Sequence, residues 1–231
     1  MTSDTSTSNG SPPARQGQSP LEVLRRIATR PPPAARDEAC DMCAEVIGAE
    51  HSHVVDIESR QLMCTCRGCY LLFSTPDAHQ RYRAVPDRYL SFPDLALSTA
   101  DWDSLQIPVG LSFFFHSSVL GRVVAFYPGP AGVAESELDL STWDNVVAAN
   151  PHLLALTADV EALLVTAPND KADARCFLVP IDACYELSGR LRMVWHGFDG
   201  GTEAREQIAA FLDHVSQRSR PVRDSDADRT P

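Results

Sequence analysis

The sequence predicts an α+β fold in two parts, and three observations carry the prediction. Five of the seven cysteines fall between residues 40 and 69. From about residue 94, short runs of β-branched and aromatic residues alternate with turn signals, the pattern of a mostly antiparallel sheet. Helical stripes at 141–149 and 202–215 stand apart from most of those runs, which argues against an all-parallel sheet.

A chain of 231 residues, 44% hydrophobic and 22% charged, can bury a core and has the composition of a globular protein. No apolar run approaches the ~20 residues that span a bilayer. The opening MTSDTSTSNGSPPARQGQ offers no apolar stretch for a signal peptide. The expectation is a cytoplasmic protein without a membrane partner. The net charge of −11 is unevenly spread: +3 over residues 1–36, +1 over 216–231 and −15 over 37–215. Phosphate attraction needs basic surface, so nucleic acid is not an expected partner.

Residues 1–18 are polar and read as a disordered tail. Ser19-Pro20-Leu21-Glu22 then supplies a helix start, with a Ser cap, Pro in the first turn and Glu completing a capping box. Leu21, Leu24 and Ile27 follow at helical spacing until Pro31-Pro32-Pro33 stops them. Residues 19–36 are therefore a short amphipathic helix and a Pro-rich linker. Such a helix packs back on its domain or docks in a partner's groove.

Residues 37–93 form the cysteine-rich module. Cys40 and Cys43 make one C-x-x-C, and Cys66 and Cys69 make a second. Each turn converges two thiolates, and two turns give the tetrahedral four-sulfur array that Zn²⁺ accepts. His53–Glu58 and Gln61–Thr65 read as strands of a hairpin turning at Ser59-Arg60, which brings the pairs together. A helix is expected from Asp77 to Arg83. Knuckle, hairpin, knuckle, helix is the order of a zinc-ribbon or treble-clef module. Cys64 complicates the ligand set, because on a strand it shares a face with Cys66 and is an additional or substitute ligand candidate. His51 and His53 also share a face and are weaker candidates. Mononuclear iron suits the same four sulfurs, and the spare cysteine argues for an iron–sulfur cluster. Four thiolates leave no position for water or substrate, so a structural metal is the expectation.

Residues 94–215 read as an acidic α+β domain. Strands are expected at Leu111–Phe115, Arg122–Tyr127, Ala162–Thr166, Cys176–Ile181 and Arg190–Trp195. Turns fall at Ser117-Ser118, Pro128–Gly132, Pro168–Asp170 and Ser188-Gly189. Ser141–Ala149 reads as a helix burying Trp143, Val146 and Val147. Thr202 caps a last helix with Ile208, Phe211, Leu212 and Val215 on one face. Gly197–Gly201 could cradle phosphate, but it lacks a dinucleotide or P-loop pattern and reads first as a turn and helix cap. Cys176 and Cys184 read as reduced core residues. No H-E-x-x-H, deaminase or G-x-S-x-G pattern occurs, so no catalytic residue is assigned, and an enzyme in this domain has only the Gly-rich loop and scattered His and Asp in its favour. Residues 216–231 are polar and read as a second disordered tail.

Several of these stretches together resemble an uncharacterised bacterial family. They are Leu24-Arg25-Arg26 with Pro31-Pro32-Pro33, Cys40-Asp41-Met42-Cys43, His51–Asp56, Cys64–Phe73 and Trp195–Gly201 with the helix that follows. Genes of that family lie beside those for high-affinity nickel–iron hydrogenases. The resemblance covers roughly residues 20–215. It assigns no activity, and it implies an accessory role in hydrogenase assembly or electron transfer. Two functions follow as expectations. One is a zinc-stabilised accessory or scaffold protein that binds another protein, such as a hydrogenase subunit or maturation factor. The other is an iron or iron–sulfur electron carrier associated with a hydrogenase.

Overall fold

Two sheets organise the chain, and the smaller comes first. The computed structural model describes residues 38–75, 81–130, 132–136, 140–168, 173–197 and 200–222. Two units divide the chain at residue 36, the second being Asp37–Pro231. All described residues lie in the second, so the helix expected within 19–36 falls outside them.

In the small sheet, β1 (Ser52–Asp56) pairs antiparallel with β2 (Gln61–Thr65) and with β3 (Tyr82–Ala84). Arg60, at φ 58°, takes the left-handed conformation that turns the hairpin. Between β2 and β3, α1 spans Arg67–Leu72. Two expectations are corrected here. The helix begins at the second C-x-x-C itself, where Cys66 caps it. Residues 82–83, expected to be helical, are strand. The free edge of β1 offers backbone donors and acceptors that must be satisfied, and β3 satisfies them with Val54 opposite Ala84. Residues 77–80 of that expected helix lie outside the described residues.

The large sheet comprises β4 (Leu90–Ser91), β5 (Leu111–Ser117), β6 (Arg122–Gly129), β7 (Gly132–Ser136), β8 (Glu161–Thr166), β9 (Arg175–Pro180) and β10 (Arg220–Pro221). Their order is β10-β4-β9-β8-β5-β6-β7, and only the β10–β4 pair is parallel. The helices are α2 (Thr99–Ser104), α3 (Leu140–Ala149), α4 (Ile181–Val194) and α5 (Gly201–Arg218), with a 3₁₀ turn at Pro151–Ala155.

Period-two alternation in the central strands gives this sheet two apolar faces. Phe113, Leu164, Phe177 and Val179 pack with Leu187 and Leu191 of α4 and Phe211 and Val215 of α5. Phe114, Leu163, Val165 and Leu178 point the other way, toward Trp102 of α2 and Trp143 and Val146 of α3. Phe114 stacks on Trp143 with ring centroids 4.3 Å apart. Val55 and Val85 of the small-sheet region join the core on the α4–α5 face. An apolar cleft of about 450 Å³ remains between Val55 and Leu62 on one side and Phe113, Phe115 and Ile181 on the other.

The strand expected at Arg190–Trp195 is the end of α4. Ile181, Cys184, Leu187 and Leu191 are buried at helical spacing, and Gly189 faces open space, where it interrupts nothing. Beyond residue 215, α5 continues to Arg218 and β10 adds a short edge strand. A wholly buried carboxylate of the body is ion-paired. Arg88 Nε donates to Glu161 Oε1 at 2.7 Å, Glu161 is wholly buried, and the Thr157 N–H donates to its second oxygen at 2.9 Å. Among the described residues no helix is long and apolar enough to cross a membrane.

Candidate metal centre

The first C-x-x-C forms a tight turn because its backbone closes on itself. The Cys40 N–H donates to the Glu45 carbonyl and the Ala44 N–H to the Cys40 carbonyl, each at 2.8 Å. Ala44 sits at φ 62° to complete the turn. A single bridge between Ala39 and Val46 closes its base. The turn is fastened to the hairpin at Cys64, whose N–H donates to Asp41 Oδ2 at 2.7 Å and whose carbonyl accepts from the Asp41 N–H at 2.8 Å.

The second C-x-x-C is the first turn of α1. Cys66 is its N-cap, and its Sγ accepts from the Cys69 N–H at 3.5 Å. Helical spacing then places Cys66 and Cys69 on one side, facing the first turn. The result is a cluster in which the sulfurs of Cys40, Cys43, Cys66 and Cys69 all lie within 4.8 Å of one another. Cys43 and Cys66 are 3.7 Å apart. Cys40 is buried, Cys66 and Cys69 are partly covered, and Cys43 is exposed.

The electrostatics of four crowded thiols are uneven. Burial pushes the Cys40 thiol up, but backbone N–H groups of Cys66, Met42 and Cys43 outweigh it and bring it down to about 6. Cys69 is pushed up to about 12, first by its hydrogen bond with Cys43, then by burial and by Cys66 and Cys40. One thiolate is thus easy to form and further ones are opposed by their neighbours. A bound cation reverses that opposition, because thiolates are the ligating form.

Cys64, His51 and His53 are placed apart from this cluster and together with one another. One ring nitrogen of each histidine and the Cys64 sulfur lie within 4.8 Å of one another. The hairpin register explains this, since His53 is directly opposite Cys64 and His51 precedes His53 by two residues. Asp182, in the first turn of α4, accepts from His53 Nδ1 at 2.8 Å. Sequence reading missed Asp182 because it lies 129 residues along the chain from His53 and belongs to no local motif. Cys176 and Cys184 are buried in the body, where desolvation pushes both thiols above their ordinary value.

The glycine-rich stretch before α5 has a conformational explanation. Gly197, Gly200 and Gly201 have φ of 69°, 84° and 76°. A Cβ on Gly200 would come within 3.0 Å of Ala204 Cβ and 3.2 Å of the Trp195 ring. These glycines serve a turn and the start of a helix.

The fold and this cluster define an α+β protein with a four-cysteine group competent to hold a metal ion. The match of a family model over residues 39–219 places the chain in a family of unknown function, DUF5947. No curated protein and no solved structure matches the chain.

Proposed function

We propose that this protein is a non-catalytic accessory protein whose Cys40, Cys43, Cys66 and Cys69 hold a structural zinc ion. The carrying observation is the convergence of four sulfurs from two separate turns within 4.8 Å. Four thiolates complete a tetrahedral zinc sphere and leave no place for substrate. The order of turn, hairpin and helix, with the last two ligands on the helix, supports a treble-clef module rather than a zinc ribbon.

Exposed apolar side chains support action through a protein partner. Val46 on the first turn and Leu71 and Leu72 on α1 are 66%, 51% and 66% exposed. The resemblance noted from the sequence makes a nickel–iron hydrogenase subunit or maturation factor the partner to test, in the cytoplasm. A second reading keeps the same four sulfurs but fills them with iron for electron transfer. Exposure of Cys43 favours it, because an electron carrier needs one ligand near its partner. The iron–sulfur version loses its main argument, since Cys64 lies with the histidines.

Metal analysis of protein prepared without oxygen separates the two. A colourless protein with at least one equivalent of zinc supports the structural site. A visible iron chromophore that reduces reversibly overturns it in favour of the carrier.

A further inference from the structure

We infer that the protein has a second metal site, built from His51, His53 and Cys64 and distinct from the four-sulfur cluster. The ligand set is two imidazoles and one thiolate, which suits a borderline-soft divalent cation such as zinc.

The hydrogen bonds identify the ligating atoms. His51 Nδ1 lies 2.9 Å from the Gly48 carbonyl and 3.4 Å from Glu38 Oε2, both acceptors, so Nδ1 carries the proton and in the neutral ring Nε2 keeps its lone pair. His51 Nε2 is buried and has no hydrogen-bond partner among the described residues, and the side chain as a whole is only 10% exposed. A buried nitrogen without a hydrogen-bond partner is costly, and a metal ligand bond removes that cost. His53 repeats the pattern with a carboxylate. Its Nδ1–H donates to Asp182 Oδ2, leaving Nε2 to ligate. A carboxylate or carbonyl behind a histidine is the arrangement that orients metal-bound imidazoles and strengthens them as donors.

The third ligand follows from the strand register. Cys64 faces His53 across the β1–β2 ladder, and the two histidine rings lie 4.7 Å apart. His53 is 21% exposed, so the site is not sealed. Three protein ligands leave one tetrahedral position, open to water or to a small exogenous donor. Because Asp182 belongs to α4, this site also ties the hairpin to the body.

Cobalt(II) titration of the full chain, reduced and free of other metals, tests this. Two equivalents are expected, one with the intense sulfur-to-cobalt absorption of four thiolates and one with that of a single thiolate. Cys64→Ser and His51→Gln should each reduce the count from two to one and leave the four-sulfur spectrum intact, which also reports that the module is folded. Binding of one equivalent with only a single-thiolate spectrum would support this site and sink the four-sulfur proposal. A single equivalent with the four-sulfur spectrum in the unaltered protein overturns the inference. So does retention of both equivalents in Cys64→Ser, or loss of the four-sulfur spectrum in that variant.

Discussion

Around the four-sulfur cluster, Cys43, Val46, Leu71 and Leu72 are exposed, and α1 buries none of its residues. In the seven-stranded body, Phe114, Leu163, Leu164, Leu178, Leu187 and Leu191 are fully buried. The first region therefore has little apolar area to hold its two turns together, and the second has two apolar layers. Convergent sulfurs take the place of a core where the chain is too short to build one. The hairpin lies between these regimes, since Val54 and Val55 are buried while the strand ends carry the ligand candidates.

The largest expected effect comes from removing metal. Structural zinc sites contribute about 10 kcal/mol or more to folding of their modules. Chelation, or Cys66→Ser, should abolish hydrogen-exchange protection in the first turn and α1 and leave the protection of β5, β8 and β9 in place. Equal loss in both regions would erase the distinction. Acid should weaken metal binding as well, because protons compete with the ion for the ligating thiolates.

Next in size are breaks in the body. Phe114→Ala removes the ring stacked on Trp143 and should cost about 3–5 kcal/mol, read as a lower denaturation midpoint. Glu161→Ala removes the buried acceptor shared by Arg88 and the Thr157 N–H, while Arg88 keeps the Ala155 carbonyl, and should cost about 1–3 kcal/mol. Neither change should alter the metal count. A smaller loss, about 1–2 kcal/mol, is expected from Gly200→Ala, which forces a side chain into left-handed backbone.

The smallest effect is a pH dependence at the end of β1. Asp56 holds Arg81 through two hydrogen bonds of 2.9 and 2.6 Å, and this guanidinium keeps its carboxyl well below the usual carboxylate range. A depressed folded value means the stabilisation is complete above the ordinary carboxylate pKa of about 3.9. It is lost as pH falls through the folded value. Asp56→Asn should therefore lower stability at neutral pH and flatten this part of the acid limb in urea titrations.

Much of the architecture could be read from short-range pattern. The near-continuous apolar runs at Leu111–Phe115 and Ala162–Thr166 mark strands with two buried faces. The 3.6-residue stripe of Ile208, Phe211, Leu212 and Val215 marks α5. Reading failed where local signals competed. Ser188-Gly189 looks like a turn, yet in α4 it faces outward while Leu187 and Leu191 fix the helix through tertiary packing. Tyr82–Ala84 has no strong strand signature and becomes a strand because β1 has an edge to fill. At the site, the two C-x-x-C pairs were legible because the four clustered cysteines lie in two local motifs. The grouping of Cys64 with His51 and His53 needed the hairpin register, and Asp182 needed the folded chain.

The most direct test of the four-sulfur claim is X-ray absorption at the zinc edge on the full-length Cys64→Ser variant. That variant removes the sulfur that neighbours the cluster, and Cys176 and Cys184 are buried in the body, so sulfur bound to zinc comes from Cys40, Cys43, Cys66 and Cys69. The expected result is one zinc with four sulfurs at about 2.3 Å. Zinc bound by nitrogen or oxygen alone, or protein that retains no metal, would contradict it.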